Sequence, residues 1–379
     1  MQTSLKIDIH HSLDLKLKNL WRELYINSNA YAFQSYEWIE HWINTVGKNS
    51  NNFKPLIIVV SDKDGVLALF PFMLSRSFGI IILEFIGGGQ CDYNTPLIRT
   101  QKISHIDFKK LWISVLESIP NHDIRYLKGI PNELRGFPNP FLSIASALTD
   151  SCSFAATLPF SWEDFQKRLP KRFHKDNTRM IRRLSEIGAL RFVVANTLSE
   201  FDGLVKVALK QKERRYHATG AKNILSDIET HNFYAQLIKS SSQEVRIHMS
   251  ALMLDDEVIA THLGIYHNGR FYYLFPAYDE QKWGKFSPGR LLLEYLIKWA
   301  ISAGLDTFDF TVGAESYKEV WCDLEMPLYR IVEATSYRGF IYAGILRSIY
   351  WFKKNYYARF LAMKILKKYS SIINIFKKN

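Results

Sequence analysis

The sequence predicts an α+β fold built from two similarly organised halves. In the first half, PLIIVVSD turns through Lys63-Asp64-Gly65 into VLALFPFMLSR, which is the pattern of a β-hairpin, and a helix near 104–118 precedes the strand DIRYLKGI. In the second half, VRIHMSALMLDD, EVIATHLGIYHNG and RFYYLFPAY are three successive strands separated by Asp and Asn-Gly turns. Because strands precede a helix and a further strand in both halves, we predict a degenerate internal duplication.

Other segments complete this organisation. The early stretch LWRELYINSNAYAFQSYEWIEHWINTV is helical in pattern, with Trp38 and Trp42 on one face. The second half contains predicted helices over 162–187, 199–217 and 227–240. Clustered Pro and Asn residues from Pro131 to Thr157 indicate an irregular boundary. We therefore predict a first domain over 1–150, a second domain over 151–335 and a basic helical tail over 336–379.

The segment WGKFSPGRLLLEYLIKWAISAG begins a helix at a corner of small residues. The strand 271–278, the helix 288–303 and the strand 305–311 form a unit that is normally parallel and right-handed. Ser287 is a good N-cap, Pro288 suits the first helical position, and Gly289 leaves room at the helix start. The N-terminus of such a helix suits a phosphate. An ordinary capped helix start is the alternative.

The polar residues of this helix are spaced by four, and the other positions are apolar. We expect the helix to be buried except for one narrow stripe, formed by Arg290, Glu294, Lys298 and Ser302.

The composition excludes several classes of protein. Cys91, Cys152 and Cys322 are far apart, so neither a disulfide framework nor a zinc site is expected, and no metal is predicted. The N-terminus lacks the pattern of a signal peptide, and no apolar run is long enough to span a membrane. These features favour a cytoplasmic protein.

The positive charge is unevenly distributed. The net charge is +12, yet 334–379 has ten Lys and Arg and no acidic residue, which leaves about +2 (12 − 10) for the rest of the chain. A second basic stretch covers 167–183, with eight basic residues against Asp176. Basic runs of this kind are commonly solvated helix faces.

The order of three motifs resembles a known family. KERRYHATG, then EVIATHLGIYHNGRFYYLFPAYD, then FSPGRLLLEYLIKWAISAGLDTFDFTVGAESYKEVW is similar to the CelD-like (BioF2-like) branch of the GNAT acyltransferase superfamily, which is related to the FemABX peptidyltransferases. The resemblance implies two GNAT-like folds in tandem. It also implies that acetyl-CoA or another acyl-CoA lies between two splayed strands, with its pyrophosphate on the loop Gly284–Arg290. The implied donor-binding residues are Phe275, Ala277, Gly284, Ser287, Gly289 and Arg290.

Two details of this segment bear on donor binding. Pro276, inside a strand, breaks the hydrogen-bond ladder, and such a break could free backbone groups for pantetheine. The usual superfamily loop is Gln/Arg-x-x-Gly-x-Gly/Ala, and aligning its two small residues with Ser287 and Gly289 leaves Gly284 at the Gln/Arg position. This departure leaves open a larger donor of the FemABX type.

Acyl transfer to an amine needs a base and a group that stabilises developing negative charge. His262 is the candidate base, and the alternative is a core histidine. By the resemblance, Tyr317 would protonate the leaving thiolate and Lys318 would stabilise the oxyanion; a structural turn packed by Trp321 is the alternative. The candidate acceptor-binding residues are Glu315, Arg215 and, in the loop after GGGQ, Asp92 and Tyr93.

Three functional hypotheses follow. The first is an acyl-CoA-dependent N- or O-acyltransferase, with an acetyl donor favoured. The resemblance implies that its acceptor is a cell-envelope or exopolysaccharide precursor, either a small molecule or a lipid-linked sugar. The second is a FemABX-like aminoacyl or peptidyl transferase. The third is a non-catalytic binder of membrane or nucleic acid. Nucleic acid is not expected as a partner, because the 167–183 stretch offers only Phe173 and His174 for base stacking.

The tail supports two alternatives. Its apolar residues follow helical spacing, and lysines and arginines supply a cationic complement. Such a helix can lie in the plane of an anionic membrane, which would place the protein at the inner face of the membrane. Alternatively, it packs back on the first domain. The apolar positions are Ile345, Ile349, Phe352, Tyr356, Phe360 and Met363.

Overall fold

The computed structural model of the protein describes residues 5–48, 52–102, 107–143, 148–219, 228–240, 244–313 and 315–351. The strands are β1 (Lys6–His10), β2 (Phe53–Asp62), β3 (Gly65–Ser77), β4 (Ile80–Phe85), β5 (Leu97–Ile98), β6 (Ile124–Pro131), β7 (Glu133–Leu134), β8 (Phe137–Pro138), β9 (Leu148–Thr157), β10 (Leu190–Val194), β11 (Arg246–Leu254), β12 (Glu257–His267), β13 (Arg270–Tyr278), β14 (Thr307–Val312) and β15 (Leu324–Ala334). The helices are α1 (Leu15–Ile26), α2 (Tyr36–Trp42), α3 (Phe108–Ser118), α4 (Trp162–Arg168), α5 (Lys171–Ser185), α6 (Leu198–Thr219), α7 (Ile228–Lys239), α8 (Glu280–Trp283), α9 (Pro288–Ser302) and α10, described over 337–351.

One sheet runs through both halves in the order β1-β2-β3-β4-β6-β15-β9-β14-β13-β12-β11-β10, with β5 beside β3. In the first half, β2, β3 and β4 are antiparallel, α3 follows, and β6 returns parallel to β4. In the second half, β11, β12 and β13 are antiparallel, α9 follows, and β14 returns parallel to β13. The repeated order confirms the α+β class and the internal duplication that the sequence predicts.

One strand crosses from the second half to the first. The last strand, β15, pairs with β6 of the first half, while β9 pairs with β14 of the second, and β9 and β15 pair with each other. The predicted division at residue 150 falls inside β9. The two halves are therefore joined by backbone hydrogen bonds as well as by side chains.

The single helix expected over 162–187 is in fact two helices, α4 and α5. Leu169 adopts an extended conformation with ψ 146°, and Pro170 precedes the first residue of α5. Proline has no N–H for the helical ladder and disfavours helical backbone in the residue before it. The break allows α5 to pack separately against α9.

The core crosses from one half to the other. Trp38 of α2 is completely buried, and its ring contacts Phe233 of α7 edge-on with 5.0 Å between centroids. Trp42 is also buried, as the helical pattern predicts, and donates its Nε1 hydrogen to Gln90 at 3.0 Å. Gln90 in turn donates to Thr230 of α7 at 3.3 Å, so this bond and the Trp38–Phe233 contact fix the first half against α7 of the second.

Helix α9 lies on β11, β12 and β13, and both of its sides are covered. Its expected solvent stripe is only partly exposed: Glu294 is buried, Arg290 and Lys298 are half-buried, and Ser302 is exposed. Glu294 is 5 % exposed and accepts hydrogen bonds from Asn177 of α5 and from Lys298, both at 2.6 Å. The Lys298 ammonium lies 4.6 Å from the ring centroid of Trp162 of α4. The four-residue spacing of polar residues therefore marks a helix–helix contact.

Helix α10 packs back on the first half. Ala343 is buried against Ile82 of β4, Ile124 of β6 and Val332 of β15. Ser336 begins the helix, and its hydroxyl accepts the Gly339 N–H at 3.1 Å. The packing alternative for the tail is thus correct for 337–351. Phe352, Tyr356, Phe360 and Met363 lie outside the described residues. Among the described residues, no helix is both long and apolar enough to cross a bilayer.

Candidate functional site

The strands β13 and β14 separate after a short parallel contact. They pair only at Arg270–Thr307, Phe271–Phe308 and Tyr272–Asp309. Beyond these positions they diverge around a cavity of about 1050 Å³. The lining residues on the two strands are Tyr273, Leu274, Pro276 and Tyr278 of β13, and Phe310, Thr311 and Val312 of β14.

A β-bulge and a left-handed residue produce this divergence. In the β12–β13 register, Leu263 faces Phe275 and Gly264 faces Tyr273, so Leu274 is the extra residue. On the other strand, Thr311 has φ 57°, and its N–H donates to the Asp309 carboxylate at 2.7 Å. Both strands therefore change direction where the cavity begins. The break is at Leu274, two residues before the predicted position, Pro276, which still lies opposite His262 in the β12 register.

The first turn of α9 forms one wall of the cavity. Gly284, Ser287, Gly289 and Arg290 all line it, as the sequence predicts. Ser287 occupies the N-cap position in a left-handed conformation, with φ 52° and ψ 50°, and its side chain makes no capping hydrogen bond. The expected side-chain cap is therefore wrong. The positive end of the 15-residue helix therefore lies at the cavity without a side-chain cap. Pro288 has no N–H, so the backbone N–H groups of this first turn are those of the residues after it.

The two glycines of this loop have different surroundings. A Cβ on Gly289 would lie 2.9 Å from Cδ1 of Tyr278, so the close approach of that ring requires glycine here. A Cβ on Gly284 would have Glu280 Cγ as its nearest neighbour at 3.5 Å. Gly284 also has helical backbone angles, φ −53° and ψ −36°. Gly284 is therefore the position at which a side chain can be added without disturbing the packing.

Positive charge predominates in the cavity. Its basic lining residues are Lys212, Lys285, Arg290 and Lys318, and its acidic ones are Glu280 and Glu315. The Arg290 guanidinium lies 5.1 Å from the ring centroid of Phe173 of α5. Its Nε is buried with no hydrogen-bond partner among the described residues. Four cations against two carboxylates and an uncapped helix N-terminus suit an anionic ligand.

Lys318 is a buried cation at the end of β14. It is 3 % exposed, and its Nζ donates to the backbone carbonyl of Gly313 at 3.0 Å, with longer contacts to those of Val312 and Thr311. The Glu315 carboxylate lies 2.9 Å from the same nitrogen. Tyr317 is 42 % exposed and also lines the cavity. The structure thus brings together three residues predicted from GAESYKEVW.

Asp92 and Tyr93 lie behind β14, at the junction of the two halves, and neither lines the cavity. The Tyr93 hydroxyl donates to Asp309 at 2.7 Å, and Arg270 donates to the other oxygen of that carboxylate at 2.7 Å. Tyr93 is completely buried, so its role here is to join the halves. Burial raises the pKa of Asp92 to about 6, and a hydrogen bond with Thr311 opposes the rise. Asp92 is therefore connected to the cavity through Thr311.

Comparison with known proteins identifies the second half. Residues 171–319 match the family described as acetyltransferase (GNAT) domain. Residues 171–319 therefore form a GNAT-type domain. The GNAT domain contains the diverging strands, the first turn of α9 and Lys318. A GNAT domain is an acyltransferase domain, and this match agrees with the resemblance that the motifs imply.

Solved structures share the fold over most of the chain. FemX is 10% identical, with 86% of this chain and 97% of that chain covered and a TM-score of 0.54. A protein of unknown function from Bacteroides thetaiotaomicron VPI-5482 is 9% identical, with 86% and 99% covered and a TM-score of 0.53. L-PGS from Bacillus licheniformis is 10% identical, with 87% and 95% covered and a TM-score of 0.50. No curated protein sequence matches the chain. At these identities the likeness shows a shared fold, which agrees with the GNAT match of residues 171–319.

The GNAT domain does not bring His262 to the cavity. His262 is completely buried, stacks on Tyr273 with 4.3 Å between centroids, and has no hydrogen-bond partner for either ring nitrogen among the described residues. Burial lowers its pKa well below the usual value. This is the arrangement of a core histidine, the alternative to the catalytic base.

Two predicted donor-binding residues fall on the other side of β13. Side chains alternate along a strand, and those lining the cavity include Leu274, Pro276 and Tyr278. Phe275 instead packs edge-on against Tyr234 of α7 at 4.9 Å, and Ala277 is buried away from the cavity. Arg215 belongs to α6, but its side chain lies outside the described residues.

The sequence did not indicate Phe173 or Lys212 as parts of this site, although both line the cavity. Lys285 and Thr311 also line it and lie within the predicted loop and strand, but the sequence did not single them out. The one sequence feature that could have indicated Phe173 is its position as an aromatic residue within a basic amphipathic helix. Among the described residues, there is no group of three or more His, Cys, Asp and Glu side chains that could hold a metal ion.

Buried histidines make the stability of the protein dependent on pH. Burial lowers the pKa of His248, whose ring lies 4.0 Å from that of Trp299, to about 3, and lowers that of His267 to about 4. Below pH 6.5 the unfolded chain takes up protons that the folded chain excludes, so each histidine removes about 1.4 kcal/mol of stability per pH unit as pH falls. The pKa of Asp92 is raised to about 6, so below that pH the folded chain takes up a proton at Asp92 before the unfolded chain does. Asp92 therefore stabilises the folded protein as pH falls, opposite to the histidines. We expect the free energy of unfolding in urea to decrease between pH 7 and pH 5.

The matched variant is His248→Gln, which keeps a polar side chain but does not titrate. We expect the slope of the unfolding free energy against pH to be smaller in this variant by about 1.4 kcal/mol per pH unit, the contribution of one buried histidine. An unchanged slope in the variant would mean that His248 is protonated, or solvated, in the native state.

Proposed function

We propose that this protein is an acyl-CoA-dependent N- or O-acyltransferase, with acetyl-CoA as the favoured donor. Its proposed acceptor is a precursor of the cell envelope or of an exopolysaccharide, either a small sugar or a lipid-linked one. The observation that supports the proposal is the N-terminus of α9, which has no side-chain cap and lines a cationic cavity between two diverging strands. Such a site suits a donor such as acyl-CoA, which has phosphates at one end and a narrow pantetheine arm.

The donor side of the cavity has groups for both parts of such a molecule. The backbone N–H groups of the first turn of α9, with Lys285 and Arg290, would hold the phosphates. The edge of β13 beyond Tyr272 has no pairing with β14, so its backbone groups are available to an extended pantetheine arm. The bound thioester supplies an activated acyl carbon. The protein's contribution is to direct that carbon toward the end of β14.

The acceptor side contains the residues that would assist transfer. The new C–N or C–O bond forms as the C–S bond breaks, so negative charge develops on the transferring carbonyl oxygen and on sulfur. Lys318, fixed by backbone carbonyls at the end of β14, would stabilise the former, and Tyr317 would donate a proton to the latter. Glu315 lines the cavity beside Lys318, and we assign to it the binding of the acceptor and its proton. Asp92 does not line the cavity and would act through its hydrogen bond with Thr311.

A second candidate is aminoacyl transfer of the FemABX type. One observation favours it: α5 exposes Lys171, Arg172, Lys175, Arg179, Arg182 and Arg183, and its Phe173 lines the cavity. A polyanionic donor larger than CoA would find a cationic surface there. Because Arg172 and Arg179 approach Asp176, and Arg182 approaches Glu186, part of this charge is neutralised within the helix.

Thermal unfolding in the presence of CoA separates the two candidates. A ligand at 100 times its Kd stabilises the native state by about 2.7 kcal/mol, so we expect millimolar CoA to raise the Tm measurably. Release of free thiol should then be followed with a panel of acyl-CoAs and amino sugars. Absence of any shift at millimolar CoA, together with transfer from an aminoacyl-tRNA, would replace the first candidate with the second.

A further inference from the structure

Helix α10 has two apolar faces, and the residues that the structure describes cover only one of them. Ala343, Tyr342 and Leu346 pack on the first half of the sheet. The opposite side of the helix, here called the outer face, consists of large apolar side chains that are between 48% and 80% exposed: Tyr337, Phe340, Ile341, Ile345, Ile349 and Trp351.

A row of this kind differs from ordinary surface exposure. Single exposed apolar residues are normal on soluble proteins, whereas a contiguous exposed row marks a surface that binds something. The six residues fall on consecutive turns of one helix. We therefore expect the outer face to bind a partner, and that partner has to present an apolar surface along the length of the helix.

The charges around the outer face select the occupant. Arg338 and Arg347 are exposed on the same helix, which has no acidic residue. The sequence from 334 to 379 adds eight further Lys and Arg (10 − 2) and no Asp or Glu. An anionic lipid surface offers both an apolar layer and negative charge. A second copy of this chain would instead bring like charges together across the same face.

We propose that the outer face of α10 docks on the surface of an anionic lipid bilayer, with the helix in the plane of the membrane. Tyr337 and Trp351, at the two ends of the described helix, have the amphipathic rings that suit the headgroup region. The inner face of α10 remains packed on β4, β6 and β15, so docking holds the whole sheet in one orientation on the membrane. The proposal concerns a surface outside the cavity and does not depend on the reaction catalysed there.

The test is co-sedimentation of the full chain with vesicles of phosphatidylglycerol and phosphatidylcholine, or of phosphatidylcholine alone, at 50 mM and 500 mM salt. We expect binding to the anionic vesicles at low salt, and weaker binding at high salt or without phosphatidylglycerol. The variant Phe340→Asp/Ile345→Asp should bind at least tenfold less. Both side chains are exposed, so its thermal unfolding should match that of the wild type.

The matched control is Phe160→Asp/Ile187→Asp, which makes the same change of charge at two exposed apolar residues of the second half. It should bind the anionic vesicles more strongly than Phe340→Asp/Ile345→Asp. Equal binding by the two variants, or no binding by the wild type, would overturn the proposal. If the wild type does not bind vesicles but is a dimer that only Phe340→Asp/Ile345→Asp dissociates, the outer face is an interface between two copies of this chain.

Discussion

Lys318→Met is expected to lower the turnover number by about 10²-fold or more while leaving donor affinity within a few-fold of the wild type. The ammonium is buried and fixed at the end of the diverging strand, where negative charge would develop during transfer. A preorganised donor at such a point contributes on the order of 10²–10³ in turnover, because its interaction strengthens as charge forms. Steady-state thiol release, together with CoA binding by calorimetry, measures the two quantities separately.

The control for this variant is Glu315→Gln, which removes the carboxylate beside Lys318 but leaves the ammonium and its carbonyl partners. Because Glu315 is assigned to the acceptor, this variant should raise the acceptor KM, whereas Lys318→Met should lower the turnover number even at saturating acceptor. Thermal unfolding of Lys318→Met establishes whether the three carbonyl contacts are needed for folding. A folded Lys318→Met protein with wild-type turnover would exclude Lys318 from the reaction.

Gly284→Glu is expected to weaken CoA binding at least tenfold. The glycine lines the cavity beside the start of α9, where the phosphates are proposed to lie. A carboxylate about 4 Å from a phosphate costs from about 1 kcal/mol in water to about 4 kcal/mol in a partly buried site. The backbone is helical at this position and the nearest atom to an added Cβ is 3.5 Å away, so the fold should be retained.

Gly284→Ala is the matched control, since it adds the Cβ without the charge and should bind CoA nearly as the wild type does. Equal affinities of the alanine and glutamate variants would show that the phosphates lie elsewhere. Gly289 is less suitable for this test, because any side chain there presses on Tyr278 and would affect packing as well as the ligand.

The local pattern of the sequence was sufficient to predict the framework of the site. Small residues before an apolar helix predicted the strand–helix–strand unit and placed Gly284, Ser287, Gly289 and Arg290 together, because a helix start and the loop before it are contiguous in the chain. Tyr317 and Lys318 were named from the family resemblance, and Glu315 as a polar residue of the same turn; in the structure the three are neighbours in one turn after β14. The prediction of the helix start depends on interactions between residues that are close in sequence.

The prediction of side-chain direction was limited by the bulge. An alternating strand pattern gives two faces but does not identify which one is covered, and an extra residue shifts the alternation. Leu274 is that extra residue, and Phe275 and Ala277 therefore lie away from the cavity while Pro276 and Tyr278 line it. His262 was assigned to the site by residue type, but it lies in the apolar layer with Tyr273 and Phe271.

The sequence by itself determined the α+β class, the duplicated order of elements and the loop at the start of α9, since these follow from periodicity and turn chemistry. Only the tertiary structure decided the contacts between distant segments. It placed Phe173 against Arg290, Asp92 against Thr311 and β15 between β6 and β9. It also covered one face of α10 and left the other exposed. Such contacts depend on how whole faces of sheet and helix meet, because burial is a property of packed surfaces and hydrophobic periodicity specifies only which faces are available for packing.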